Sequence, residues 1–162
     1  SLLTIDGEML VLYPIASEFE EYDVSEGVTT IGRKAFKDAT NIRVVNLSST
    51  MTTVNEYAFD SATNLTKVDY SELLTTISEY AFLDSGLTSF EFSRNLVTIE
   101  KGTFENSKLA HISIPSRVTS IKADAFKGIT DLETVVIESK ATLGTNVFAN
   151  CENLEMMMFT IF

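Results

Sequence analysis

The chain has 162 residues, 23 acidic against 12 basic, and a formal charge of −11. That length suits one domain, and the charge sets nucleic-acid backbones and anionic lipid surfaces aside as partners. No apolar run approaches the roughly 18 residues of a spanning helix, so no membrane insertion is expected of this segment, and the single cysteine, Cys151, rules out an intrachain disulfide. In chain order, a partial unit lies around residues 9–13, and Phe19/Tyr22/Val24 is the first of seven apolar triplets. Turn formers (Ser25-Glu26-Gly27), an extended piece over 28–31 and a brief helical turn at Ala35-Phe36 follow. The same order then recurs with Ile42/Val45/Leu47, Leu65/Val68/Tyr70, Leu87/Phe90/Phe92, Leu109/Ile112/Ile114, Leu132/Val135/Ile137 and Leu154/Met157/Phe159.

The repeat is timed by a phenylalanine that follows a small residue. Phe36, Phe59, Phe82, Phe104, Phe126 and Phe148 fall 23, 23, 22, 22 and 22 residues apart, each five residues after an aliphatic one (Ile31, Val54, Ile77, Ile99, Ile121, Leu143). One unit is too small to bury its Ile, Phe and Leu, whereas stacked coils bury them against the same columns above and below. The end of each triplet alternates with period two, as in Ile112-Ser113-Ile114, which fits a short strand with one buried face. The expectation is a solenoid in which the phenylalanines form one interior column.

The segments Ile112-Ser113-Ile114-Pro115, Val118-Thr119-Ser120-Ile121, Ala125-Phe126 and Leu132 resemble the BspA-like subclass of leucine-rich repeats. The opening, with Ile5-Asp6-Gly7 and Gly27-Val28-Thr29-Thr30-Ile31-Gly32, is similar to the degenerate first units of such proteins. The family often places cysteine three residues after the phenylalanine; here that column holds Ala39, Ala62, Ser85, Ser107, Ile129 and Cys151. The resemblance implies an α/β fold: a right-handed leucine-rich-repeat solenoid of about seven coils of 22–23 residues, with short parallel strands on the concave face. It makes 1–162 one domain, a segment of a longer array, with 1–27 as degenerate N-terminal unit(s). It also implies a surface or secreted protein of a host-associated bacterium or parasitic protist, carrying its targeting signal outside this sequence, that binds host or extracellular proteins or a glycan.

If strands stack at about 4.8 Å per coil, the outward residues of the triplets form ladders. One runs Asp23, Asn46, Asp69, Glu91, Ser113, Val136, Met158, and its neighbour Glu21, Val44, Lys67, Ser89, His111, Thr134, Met156. The face passes from acidic through small polar to apolar, and that gradient points to a ligand surface rather than a uniform spacer. The expected ligand contacts are Lys67, Asp69, Ser89, Glu91, His111, Ser113, Thr134, Val136, Met156 and Met158. Asp69 and Glu91 fall one coil apart, close enough to repel, but calcium wants six to eight oxygens and a bent ligand loop.

No cofactor, metal or catalytic set is expected. One histidine and one cysteine on different sides of the coil make neither a dyad nor a closed zinc site, and the glycines are scattered rather than gathered in a phosphate loop. The sequons at Asn46 and Asn64 would put glycans on or beside the concave face. The expected function is a non-enzymatic binding or adhesion module, with a structural spacer as the rival reading. The apolar residues Met156, Met158, Ile161 and Phe162 beside the last triplet suggest self-association through the C-terminal coil.

Overall fold

The computed structural model describes residues 1–69 and 71–160. Tyr70, read above as the end of a triplet, and Ile161 and Phe162, read as part of the C-terminal edge, lie outside the described residues.

Stacked coils of one parallel-strand solenoid account for the chain. The triplet strands make a first ladder in two pieces: Glu21–Asp23, Val44–Asn46 and Lys67–Val68 pair in one sheet, and His111–Ile114, Thr134–Ile137 and Met156–Phe159 in another. The extended pieces ahead of each phenylalanine make a second ladder. It joins Met9–Leu12, Thr30–Ile31, Thr53–Val54 and Thr76–Ile77, then Thr98–Ile99, Ser120–Ile121 and Thr142–Leu143. Leu2–Leu3 pairs antiparallel with Met9–Leu12 and covers the outer edge of this ladder, a hairpin that the repeat pattern does not announce. Threonine hydroxyls tie the coils together further: Thr52 Oγ1 donates to Thr29 O at 3.1 Å, Thr75 Oγ1 to Thr52 O at 3.3 Å and Thr142 Oγ1 to Thr119 O at 3.0 Å.

The expected helical turn is not a helix, and no helix occurs among the described residues. Two residues per coil, placed two before and two after the phenylalanine, have a left-handed backbone: Lys34 and Asp38 (φ 59° and 58°), Tyr57 and Ser61 (57° and 58°), Tyr80 and Asp84 (57° and 53°). A right-handed helix cannot continue through such residues. Alternate amides donate instead to the next coil: Lys34 N to Glu56 O, Phe36 N to Ala58 O and Asp38 N to Asp60 O, at 3.1, 2.7 and 2.9 Å. The amides between them close tight turns, such as Ala35 N to Gly32 O and Lys37 N to Lys34 O. This third side is therefore a hydrogen-bonded ladder of turns.

The phenylalanine column forms as expected and is longer by one ring. Centroids from Tyr13 through Phe36, Phe59, Phe82, Phe104 and Phe126 to Phe148 are 5.0, 4.8, 5.0, 5.2, 5.4 and 5.5 Å apart, with rings within 24° of parallel. Each contact is worth about 0.5–1.5 kcal/mol beyond area burial. Tyr13, from the partial first unit, supplies the extra ring. Most triplet side chains of the central coils are buried, but those at the ends are not: Phe19 is 74% exposed, Met157 38% and Phe159 52%. A triplet side chain is covered only when coils lie on both sides of it, so the expectation that these residues are core is corrected. Leu143, in the aliphatic column, is 42% exposed for the same reason.

Both strand ladders are interrupted at the same level, between the coils of Phe82 and Phe104. No strand forms at residues 89–92, and Thr76–Ile77 does not pair with Thr98–Ile99. The turn ladder continues across the gap, with Tyr80 N donating to Lys101 O at 3.0 Å and Phe82 N to Thr103 O at 2.8 Å. Two causes coincide there. The repeat shortens from 23 to 22 residues in the link from Phe82 to Leu87, where Gly86 passes so close to the previous coil that a Cβ would sit 2.1 Å from Thr63 O. The inward positions also carry two rings, Phe90 and Phe92, where every other triplet carries at most one. Phe92 takes the interior place, 5.5 Å from Phe104, and Phe90 is left half-buried while Val45, Val68, Ile112 and Val135 at its position are buried.

Candidate functional site

The first ladder holds the expected outward residues in register within each piece. Val44 lies beside Lys67, Thr134 lies between His111 and Met156, and Val136 between Ser113 and Met158. Across the interruption the entry of the ladder keeps its step, with Thr88 N donating to Thr66 O at 3.2 Å, but strand pairing does not extend to Asp69 and Glu91, which line one cleft. Asp69 forms an ion pair with Lys67.

Where the ladder breaks, the face opens into two clefts. The smaller, about 220 Å³, is lined by Lys67, Val68, Asp69, Ser89, Phe90, Glu91 and His111, so it gathers five of the ten expected contact residues. The larger, about 760 Å³, lies beside it and is lined by Glu72, Phe90, Glu91, Phe92, Arg94, Asn95, Ser113, Pro115 and Glu138. Thr134, Val136, Met156 and Met158 lie in neither cleft; they continue the face along the C-terminal strands, with Met156 49% and Met158 45% exposed. Sequence reasoning missed Phe90, Glu72, Arg94, Asn95 and Glu138. Phe90 had been assigned to the core by its column, and the paired aromatics of Phe90-Glu91-Phe92 are the signal that one ring would be displaced.

The charges on this face fall into two groups. Toward the N-terminal end they satisfy one another: Arg43 pairs with Glu20 at 3.3 Å, and Asn46 Nδ2 donates to Glu21 Oε1 at 2.8 Å and to Asp23 Oδ1 at 2.6 Å. Lys67 is held above the ordinary lysine range, first by its hydrogen bond to Asp69 and then by the negative charge of Asp69, Glu91 and Glu21. At the larger cleft, Glu72, Glu91, Glu138 and Arg94 form no ion pair among the described residues.

His111 is exposed, and its Nδ1 lies 2.8 Å from Thr134 Oγ1. Cys151 sits in the turn ladder, its thiol donating to Phe126 O at 3.1 Å, and burial pushes its pKa up. The two belong to different sides of the coil. No group of three or more His, Cys, Asp or Glu that would hold a metal ion is found among the described residues. The sequon asparagines are both engaged, Asn46 as above and Asn64 through Nδ2 to Thr40 O at 2.6 Å. No helix among the described residues is long and apolar enough to cross a membrane.

Parallel strands, an aliphatic and aromatic interior and one turn-forming side per 22–23 residues define a leucine-rich repeat protein. Residues 17–159 match the BspA type leucine rich repeat region in six copies, and the chain belongs to that family. Repeats of this kind generally serve protein interaction. The fold is shared with a leucine rich repeat protein of T. pallidum (TM-score 0.82, 22% identity, 97% of this chain and 80% of that one). It is shared also with a leucine-rich repeat protein from Bacteroides ovatus (TM-score 0.79, 23% identity, 85% and 39%). A leucine rich cell surface protein from Faecalibacterium prausnitzii is a third (TM-score 0.64, 23% identity, 97% and 36%). The chain thus spans well under half the length of the last two. No match to a curated protein is found.

Proposed function

We propose that this chain is a non-enzymatic protein-binding module of a cell-surface or secreted protein, which holds its ligand on the concave strand face. The observation that carries this reading is the coincidence of the two clefts with the expected contact residues: Lys67, Asp69, Ser89, Glu91 and His111 share one, and Ser113 lines the other with Glu91. An interrupted ladder with a half-buried aromatic in its opening is poor use of a solenoid whose role is only to extend. The Faecalibacterium relative is a cell surface protein, a property of that protein that supports the location. The ligand is an extracellular or host protein, or a glycan upon one.

The test is capture from a panel of extracellular-matrix and serum proteins. Ser89→Arg with Ser113→Arg plants two long charged side chains on the exposed strand face, and Thr145→Arg places one on the exposed turn side. Loss of capture in the first and retention in the second is expected. Capture that survives both serine changes, or no capture by the parent chain, would leave the spacer as the better reading.

A further inference from the structure

We propose that the larger cleft seats a cationic side chain, arginine or lysine, of the bound protein, with Phe90 beneath it and Glu72, Glu91 and Glu138 around it. This inference rests on the strand-face reading above and names the chemistry of the partner.

The seat is built from the interior outward. Phe90 is pinned by Phe82 at 5.4 Å, Phe104 at 5.1 Å and Phe92 at 5.1 Å, so its ring is fixed although it is only half-buried. It lines both clefts, so what it leaves uncovered faces the opening. An aromatic face attracts a cation through its quadrupole, by about 0.5–1 kcal/mol where water still has access. Three carboxylates and one guanidinium, that of Arg94, line the larger cleft, and its local charge is negative. None of these carboxylates is committed to an ion pair among the described residues, unlike Asp69 with Lys67 or Glu20 with Arg43. An incoming cation therefore displaces no existing partner. The chain's charge of −11 steers positively charged segments toward it and repels acidic ones. At about 760 Å³ the cleft has room for a long side chain together with the extended backbone that carries it.

The probes are the capped hexapeptide Ser-Gly-Arg-Arg-Gly-Ser and its Glu-Glu counterpart, titrated into ¹⁵N-labelled protein at low ionic strength. The arginine peptide is expected to shift the amides of Phe90, Glu91 and Ser113 most. Its affinity should fall about tenfold in Glu91→Gln/Glu138→Gln and change by less than about twofold in Glu20→Gln/Glu21→Gln. Phe90→Leu, which keeps apolar bulk but removes the ring face, should weaken it about two- to fivefold. Shifts centred on Glu20, Glu21 and Asp23, no localised shifts, or tighter binding of the glutamate peptide would each overturn the proposal. If the arginine peptide fails while Ser89→Arg/Ser113→Arg abolishes protein capture, only the cationic seat falls. If capture is indifferent to those serines, the strand-face reading falls with it.

Discussion

Phe82→Ala tests the load carried by the aromatic column. Phe82 is fully buried, stacked 5.0 Å from Phe59 and 5.2 Å from Phe104 with rings within 5° of parallel, and Phe90 lies tilted against it at 5.4 Å. Truncation removes two stacked contacts and opens a void. The neighbouring rings are held by turns bonded to both adjacent coils, so the void collapses little, and the cost belongs in the upper half of the usual range for buried phenylalanine, about 4–5 kcal/mol. Phe148 is the internal control. It has one stacked neighbour, Phe126 at 5.5 Å, and is half-buried, so its truncation should cost only about 1.5–2.5 kcal/mol. With a urea slope of about 2 kcal/mol/M, the two midpoints drop by roughly 2 M and 1 M. Equal drops, or a shift below about 0.5 M for Phe82→Ala, would refute the claim that interior stacking holds the coils together.

Gly86→Ala should cost about 1–3 kcal/mol in thermal or urea unfolding, because the added Cβ meets the backbone oxygen of Thr63 rather than a side chain able to swing away. Lys37→Met should cost about 1–2 kcal/mol by leaving the Asp60 carboxylate, 8% exposed, without its cation. The Asp60 hydrogen bond raises the Lys37 pKa, so its contribution is complete at neutral pH and lost as pH rises through that raised value; the gap between parent and variant should close in alkaline unfolding curves. Burial raises the Cys151 pKa, so the folded protein should react with a disulfide reagent at pH 8 more slowly than the urea-unfolded chain, and equal rates would contradict the buried thiol. Hydrogen exchange should find the Phe90 and Glu91 amides at least about 100-fold faster than that of Val135, which lies between two paired strands.

The fold was legible where one residue type repeats in one environment. Phenylalanine every 22 or 23 residues has no use except as a stacked interior column, and the alternation in Ile112-Ser113-Ile114 is enough to place His111–Ile114 as a strand. The turn side was misread as helical because its determinant is a backbone angle: Asp38, Asp84, Asn106, Asp124, Asn146 and Asn150 are of types that tolerate it, but Lys34, Tyr57, Ser61 and Tyr80 are not, so residue type alone does not announce it. What they share is position relative to the phenylalanine, and the bonds to the next coil that compensate for the strained conformation become visible only once the coils are stacked. The hydroxyls of Thr52, Thr75 and Thr142, which each bond a carbonyl one coil earlier, likewise find their partners only in the stack.

The candidate site was half legible for a reason that the repeat itself supplies. Ladder arithmetic presumes equal coils, and under that presumption Lys67, Ser89 and His111 line up as neighbours, as do Asp69, Glu91 and Ser113. The coils are unequal: the link from Phe82 to Leu87 is the first to lose a residue, as the link from Phe104 to Leu109 does again, and at the first of them two aromatics also compete for the interior. There strand pairing ends beyond Thr88, Phe90 is half displaced, and side chains from Glu72 to Glu138 converge on the opening. Solenoid stability is the sum of coils and their interfaces, and the continuous column of rings and ladder of turns supply the interface energy at this level without the strands. The interruption can therefore open a cleft on the strand face while Phe82 and Phe104 remain stacked at 5.2 Å behind it. The departure from regularity that ends the strand pairing is also what builds the cleft.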